Sequence, residues 1–474
     1  MKILFVEPPK DFWFVMGEYL PPPLGILQLA SYLEAHNKDL DISVLDCQAE
    51  RVDWRGLEKR IESFSPDIVA PSALATCDTY AVLGVLEKAR KVDPNITTVV
   101  GGRHFTAIPE ESLEMYPEID VIVRGEGEET LNELVQAIKT RKTFSEVKGI
   151  SFRHNGKIVH TANRPLIDNL DSLPFPGYHL VKDYMKKYHF TMMTGADTPY
   201  ALVEASRGCC HRCTFCSQWR FWGGTWRTKS AKRIADEIEY CNREFGSRFF
   251  WFTDDNFGLG ERADGLCDEI IRRNISDDIM WFTQARSDDI VTYDRILPKM
   301  RKAGNLWILM GLENNSHLVL EAFRKHINPS NSKQAVKLLK KNDIFAQATF
   351  IIGGRKDSRE SIRSLQEFTN DVDPDISIFM ALTPYPGTEL YEEAKKNGWI
   401  EDKNWVNYDM AHAIMPTEYL SRKEVQEELY ECYRSYYGST RRRITGLFSP
   451  NVFKRRTYRY LMGQGLLKAL RDLF

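Results

Sequence analysis

Cysteine is scarce in this chain: nine in 474 residues, an odd number with no secretory segment ahead of them, which excludes a disulfide-stapled extracellular fold. Neither sign of charge prevails. Sixty-four basic side chains face sixty-six acidic ones, so no global field draws the protein to nucleic acid or anionic lipid, and any such surface must be local. No run approaches twenty uninterrupted apolar residues, and the opening Met1-Lys-Ile-Leu-Phe-Val6 is too short for a signal-peptide core or a membrane span. It reads as a first buried strand, and a cytoplasmic protein in a reducing compartment is the expectation. Apolar material, by contrast, is ample, in a chain longer than one hydrophobic core supports, so two or three domains are expected.

Residues 1–144 alternate short apolar strands, at 3–6, 42–45, 68–71, 97–100 and 121–123, with helical patterns such as 26–35 and 81–92. Such alternation builds a parallel sheet covered by helices. Ligands of open sheets of this kind sit beyond the strand carboxyl ends. There the chain carries small and turn-forming residues: Pro8-Pro9, Asp46, Ser72-Ala-Leu74, Gly101-Gly102 and Gly125-Glu-Gly-Glu128. Residues 145–195 are expected to bridge to the next domain, with a hairpin at Asn155-Gly156 and an extended linker over 170–177, where two prolines keep their predecessors out of helix. From 196 to 391 six more strands alternate with helices, at 200–205, 248–253, 280–285, 306–311, 346–352 and 376–382, which predicts a partial (β/α)6 barrel of the TIM kind. Residues 392–474 turn helical and basic. Ser421-Arg-Lys-Glu424 is a capping box, arginines crowd beyond Gly438, and 466–474 is amphipathic. That region reads as solvated helices packed by one face, or as a docking surface for an acidic partner or membrane.

The motif that carries chemistry follows the first barrel strand. In Ser206-Arg-Gly-Cys-Cys-His-Arg-Cys-Thr-Phe-Cys216, three and two residues separate Cys209, Cys213 and Cys216. Three thiolates on one loop leave a 4Fe-4S cube one ligand short, and an open iron binds a substrate or cofactor directly. Gly208 lets the backbone approach such a cluster. A zinc site fits less well, because no second Cys-x-x-Cys knuckle follows and His211 supplies only one further ligand. Cys47, Cys77, Cys210, Cys241, Cys267 and Cys432 are scattered and read as structural. His104, His179, His189 and His412 stand alone, and no side chain is assigned as catalytic acid or base.

Together these features resemble the cobalamin-dependent members of the radical S-adenosylmethionine (radical SAM) superfamily. Relatives place an aromatic residue before the third cysteine, where it helps to hold adenine, and Phe215 stands there. The resemblance implies SAM contacts at successive barrel strand ends. They are Asp254, Asp255 and Asn256 for the amino group, Arg286 for the carboxylate and Glu313 for the ribose or amino group, with Gly353-Gly354 and 383–388 also matching the pattern. The first domain resembles the cobalamin-binding domain, whose fingerprint runs Asp-x-His-x-x-Gly, Ser-x-Leu, Gly-Gly. Ser72-Ala-Leu74 and Gly101-Gly102 fit, whereas Gln48 stands where the cobalt-binding histidine would be and Arg51 replaces the glycine. The implied corrin contacts are Ser72, Leu74, Gly101, Gly102, Gly125, Glu126 and Gly127, with no histidine ligand. A scaffold domain without corrin is the alternative.

What the resemblance implies is an oxygen-sensitive enzyme with a 4Fe-4S cluster, SAM and cobalamin. It would generate a 5'-deoxyadenosyl radical, take hydrogen from an unreactive carbon and deliver a methyl group through cobalamin. The preferred reading is a C-methyltransferase acting at an sp3 carbon of a small molecule or a peptide or protein substrate. Glutamine methylation in methyl-coenzyme M reductase is one candidate. Oxidative cyclisation of the anaerobic magnesium-protoporphyrin ester cyclase type, or rearrangement, is the second reading, and a non-catalytic cofactor carrier the third. The one-electron reductant would be a flavodoxin or ferredoxin. No nucleic-acid partner is expected, because no broad basic face and no second three-cysteine site appear.

Overall fold

A computed structural model describes residues 1–10, 19–191 and 198–471, with side chains in the last helix up to residue 463. The amphipathic segment expected at 466–474 therefore lies outside the described side chains. Strand β1 (Lys2–Glu7) is buried almost throughout. After the short β2 (Tyr19–Leu20) come β3 (Asp41–Asp46), β4 (Ile68–Pro71), β5 (Thr97–Val100) and β6 (Val121–Val123). They form a parallel sheet in the order β3-β1-β4-β5-β6. The chain leaves β1 toward one side and returns to pair on the other at β4, so the crevice at which such sheets bind ligands opens above these two strands.

The Asn155-Gly156 hairpin forms, with both turn residues at positive φ, 50° and 74°. It is not a bridge between domains. Its strands β7 (Ile150–His154) and β8 (Lys157–His160) run antiparallel onto β6 and complete the edge of the first sheet. The linker that follows is stitched to the helix Leu24–His36, where Gln28 donates to the Pro174 carbonyl and the Gly177 amide to that of Leu27. Strand β9 (His189–Phe190) pairs with β2.

The second sheet starts at β10 (Tyr200–Val203). Two short strands, β11 (Ser206–Gly208) and β12 (Trp226–Thr228), make a separate antiparallel ribbon around the cysteine loop. Strands β13 (Phe249–Phe252), β14 (Met280–Gln284), β15 (Asn305–Glu313), β16 (Phe345–Ile352) and β17 (Ile376–Ala381) continue β10 in sequence order and all run parallel. All six expected barrel strands are present, and among the described residues β10 and β17 remain its open edges. Cys47, Cys241, Cys267 and Cys432 are buried as expected, whereas Cys210 turns to solvent beside Cys209.

The β17 edge is covered by the helix Arg422–Tyr437, which starts at the expected capping box. Tyr433 and Tyr437 lie one turn apart on that helix, a spacing that matches alternate residues of a strand. The Tyr433 hydroxyl donates to the Phe379 carbonyl at 2.8 Å and accepts from its amide at 3.2 Å, and Tyr437 does the same for Ser377 at 2.8 and 3.1 Å. Two phenols thus replace the missing neighbour strand. Helices Thr440–Leu447 and Val452–Arg471 follow, and no helix among the described residues is long and apolar enough to cross a membrane.

Replacing Tyr433 and Tyr437 together by Phe leaves four edge backbone groups without partners. The double variant is expected to lose about 2–4 kcal/mol, read as a lower urea midpoint of unfolding, with each single variant losing about half.

Candidate active site

The two sheets face each other with their carboxyl ends, and between them lies a cavity of about 530 Å³. All seven residues expected at a corrin line it. Gly102 has φ +82°, and a Cβ there would meet the Ala73 carbonyl oxygen at 2.5 Å, so the turn after β5 requires glycine. At Gly125, φ +73°, a Cβ would meet nothing within 4 Å. The glycines at these strand ends therefore leave backbone and open space where side chains would stand, a cradle that fits a flat, bulky ring. Gln48 also lines the cavity, but its amide donates to Glu7 at 3.1 Å. Glu7 also pairs with Lys10 at 3.1 Å, and Lys10 with Asp78 at 3.0 Å.

The cysteine loop leaves β11 through Gly208, whose φ is +91° and whose absent Cβ would stand 2.1 Å from the Thr225 carbonyl oxygen. Cys213 is buried, and Cys209 and Cys216 are partly so. A strap formed by residues 322–326 braces the loop. Thr214 donates through its amide to the Phe323 carbonyl at 3.1 Å and through its hydroxyl to that of Ala322 at 3.2 Å, and the Cys213 sulfur lies 3.8 Å from the Arg324 carbonyl. Burial pushes the Cys209 thiol up to about 11, the Cys216 thiol up to about 12 and the Cys213 thiol upward as well, and Cys209 and Cys216 are further raised by neighbouring cysteines. Burial thus favours the neutral thiol at all three positions. Among the described residues no three His, Cys, Asp or Glu side chains close tightly enough to hold a single metal ion. Three thiols spread along one loop suit the separate corners of an iron-sulfur cube.

The residues expected to bind SAM divide into two groups. Asp254 is fully buried and accepts from the Ala205 amide at 3.2 Å and from the Ser206 hydroxyl, so it roots the cysteine loop; burial pushes its carboxyl up to about 6. Asn256 is buried, and its carbonyl receives the Trp226 indole at 2.9 Å. Arg286 spends its fork on Asp288 and on the carbonyls of Lys325 and His326, at 2.9–3.1 Å, and thereby holds the strap. Asp255, in contrast, lines the cavity, accepts from the Trp222 indole at 2.7 Å and faces Arg103 at 3.5 Å; burial raises its carboxyl pKa. Glu313, at φ +58°, accepts from Lys325 at 2.7 Å through one oxygen, while the other is buried with no partner among the described residues. Phe215 packs edge-on against Phe323, with ring centroids 5.1 Å apart.

Sequence reasoning missed Arg207. Its guanidinium is buried and donates to Glu126 at 2.7 Å, Glu128 at 2.6 Å and Glu204 at 2.8 Å. Arg227 adds a second bond to Glu126 at 3.0 Å. Glu126, expected at a corrin, thus directs its carboxylate into an ion cluster between the two sheets. The signal lay in a charged residue inside a strand-like Ser-Arg-Gly, together with the paired acids of Gly125-Glu-Gly-Glu128.

A family model of the B12 binding domain matches residues 16–135, and one of the Radical SAM superfamily matches residues 203–369. An uncharacterized methyltransferase of Pyrococcus horikoshii is 33% identical over 96% of both chains. An anaerobic magnesium-protoporphyrin IX monomethyl ester cyclase of Cereibacter sphaeroides is 32% identical over 92% of this chain and 70% of its own. Among solved structures, the methyltransferase TsrM from Kitasatospora setae, with cobalamin and a [4Fe-4S] cluster bound, superposes with a TM-score of 0.73 at 16% identity, over 98% of each chain. At that identity the likeness is one of fold.

Two outcomes follow from the geometry. Gly208→Ala forces a left-handed backbone onto a residue with a Cβ and moves the ribbon that presents the cysteines, so iron bound after anaerobic reconstitution should fall well below wild type by colorimetric assay. His104, on the helix after β5, has no hydrogen-bond partner among the described residues, and burial lowers its pKa to about 4. The unfolded chain takes up that proton first, so the stability is full above about pH 6.5 and is lost as pH falls toward 4, by about 3 kcal/mol. His104→Phe should flatten this slope in urea titrations between pH 4 and 7.

Proposed function

Because this chain belongs to the radical SAM superfamily, in the group whose members carry an N-terminal B12-binding domain, we propose that it is a cobalamin-dependent radical SAM enzyme. Its proposed reaction is methyl transfer to an unactivated sp3 carbon of a small molecule or of a peptide or protein segment. The observation that carries this reading is one cavity bounded by the carboxyl ends of both sheets and lined by Arg207 and Gln218, which flank the cysteine loop on either side. Cys209, Cys213 and Cys216 would hold the cluster. Asp255 and the free oxygen of Glu313 would receive the polar groups of SAM, and the ends of β4, β5 and β6 would receive the corrin without a histidine ligand. When bound, these groups supply a carbon-centred radical and a transferable methyl group.

The chain's own contribution is placement and exclusion of water. Trp222, Trp251 and Tyr19 wall the cavity with aromatic surface, which keeps a reactive carbon dry. Asp255 is held by Trp222 and offset by Arg103, so a carboxylate waits in a buried place ready for an ammonium group. Arg286 and the strap fix the loop that presents the thiols, so the site is pre-formed. Peripheral contact through the basic C-terminal helices, where Ile444 and Phe448 stand exposed, remains part of the proposal.

The cyclase of Cereibacter sphaeroides, at 32% identity, favours oxidative cyclisation as the second reading. Product mass separates them: methylation adds one methyl group per turnover and cyclisation adds none. Cys213→Ala, reconstituted with iron, sulfide and cobalamin without oxygen, should lose both cluster absorbance and SAM cleavage while keeping its corrin band. Cleavage that survives in this variant would refute the ligand assignment.

A further inference from the structure

The C-terminal helices gather charge of one sign. Net charge over the whole chain is -2, yet between Ser439 and Phe474 nine lysines and arginines stand against the single acid Asp472. Two of those cations seat the helices on the barrel. Arg442, on the helix Thr440–Leu447, lies 2.9 Å from Asp373, and Lys454, on the helix Val452–Arg471, lies 2.8 Å from Asp375, both acids standing just before β17. The Asn451 side-chain amide, between the helices, donates to Asp343, just before β16, at 2.9 Å. The helix pair is therefore fixed at the amino ends of these strands, whereas the cavity lies at the carboxyl ends of both sheets.

Residues three, four or seven apart share a face of a helix, and the faces opposite Arg442 and Lys454 turn to solvent. On the first helix that face carries Arg441, Ile444 and Phe448, and the Phe448 amide closes the last turn on the Ile444 carbonyl at 3.2 Å. On the second it carries Val452, Arg459 and Met462, all exposed. The two faces are joined. A Cβ on Gly446 would stand 2.3 Å from the Tyr458 ring, so the helices touch, and Arg455 reaches back across the turn to the Ser449 carbonyl at 2.5 Å. The Asn451 amide donates to the Ser449 hydroxyl at 3.2 Å, which braces the corner between Phe448 and Val452. Phe448 is 79% exposed, Ile444 53% and Val452 49%. Arg441 and Arg459 are exposed and have no ion-pair partner among the described residues.

We propose that Ile444, Phe448 and Val452, with Arg441 and Arg459, form a surface that docks on an anionic lipid bilayer, and that the docked protein keeps its cavity open to water. Charge complementarity selects the partner. Unpaired guanidinium forks match lipid phosphates, and apolar tips standing singly between them enter the acyl boundary, which closes around each tip without a matching surface. A protein partner would need a shaped counterpart, and neither described cavity takes in these residues. Because the helices sit at the amino ends of β16 and β17, strands about 20–26 Å long, a bilayer on this face leaves the carboxyl ends uncovered. The proposal rests on the peripheral contact put forward above, names its partner, and does not depend on the chemistry in the cavity.

The experiment has two readouts. Full-length protein is sedimented with vesicles of phosphatidylcholine alone, or of equal parts phosphatidylcholine and phosphatidylglycerol, at low and at high salt. Wild type should follow the mixed vesicles, leave them at high salt and ignore the neutral ones. Ile444→Ser combined with Phe448→Ser should lower the partition about tenfold, and Arg441→Gln combined with Arg459→Gln by a similar factor, whereas Arg441→Lys with Arg459→Lys should retain it. Every variant should keep the wild-type urea midpoint and the wild-type rate of SAM cleavage in solution after cluster loading. An excess of mixed vesicles should leave that rate unchanged. No sedimentation of wild type with the mixed vesicles would overturn the proposal in favour of an acidic protein partner, and Ser variants that sediment like wild type would overturn it as well. Loss of cleavage on adding vesicles would overturn the uncovered cavity. Should wild type fail to cleave SAM without vesicles, the radical SAM reading fails, and sedimentation still decides the docking surface.

Discussion

The geometry of the cavity depends on one buried cation. Arg207 stands two residues before Cys209, and its three donors end on Glu126, Glu128 and Glu204. Two of those acceptors stand just after β6 of the first sheet, so the root of the cysteine loop and the floor of the glycine-lined cradle share a single planar anchor. Taking four charges out of water costs several kcal/mol per ion before their attraction is counted, and such clusters stabilise little compared with apolar packing. What a fork with fixed directions supplies is orientation. Two independently folded layers are locked in one mutual pose, as a reaction between groups held by different sheets requires.

That anchor works because each sheet ends where the other begins. The second sheet and the first five strands of the first are parallel, and both place their ligand-facing turns at the carboxyl edge. The glycines at 101, 102 and 125 keep one wall low, while Trp222 and Asp255 raise the other. Arg103 reaches across from the first wall to Asp255 on the second, which adds a weaker electrostatic tie over the open space.

Much of this was legible from residue order. Strand positions in both sheets follow from short apolar runs, and the cysteine loop from its spacing. The place of the hairpin was not, because Asn155-Gly156 fixes the turn while the choice of β6 as neighbour is made by tertiary packing. Nor was the division within Asp254-Asp255: adjacent residues at a strand end point to opposite sides, so one carboxylate roots the loop and the other faces the cavity. Arg286 was read as a ligand from its strand-end position, but the strap that claims its fork is 39 residues away in sequence, beyond the reach of any local pattern.

The phenol-capped rim at β17 has a consequence for the chain as a molecule among copies of itself. A parallel sheet that stops short of closure offers its last strand as a template, and here the amides and carbonyls that a stranger would seize are already taken by a helix of the same polypeptide. The C-terminal helical region is thus a guard as well as an appendage. A chain cut before Arg422 would bare that ladder and invite polymerisation, even with every cofactor contact intact.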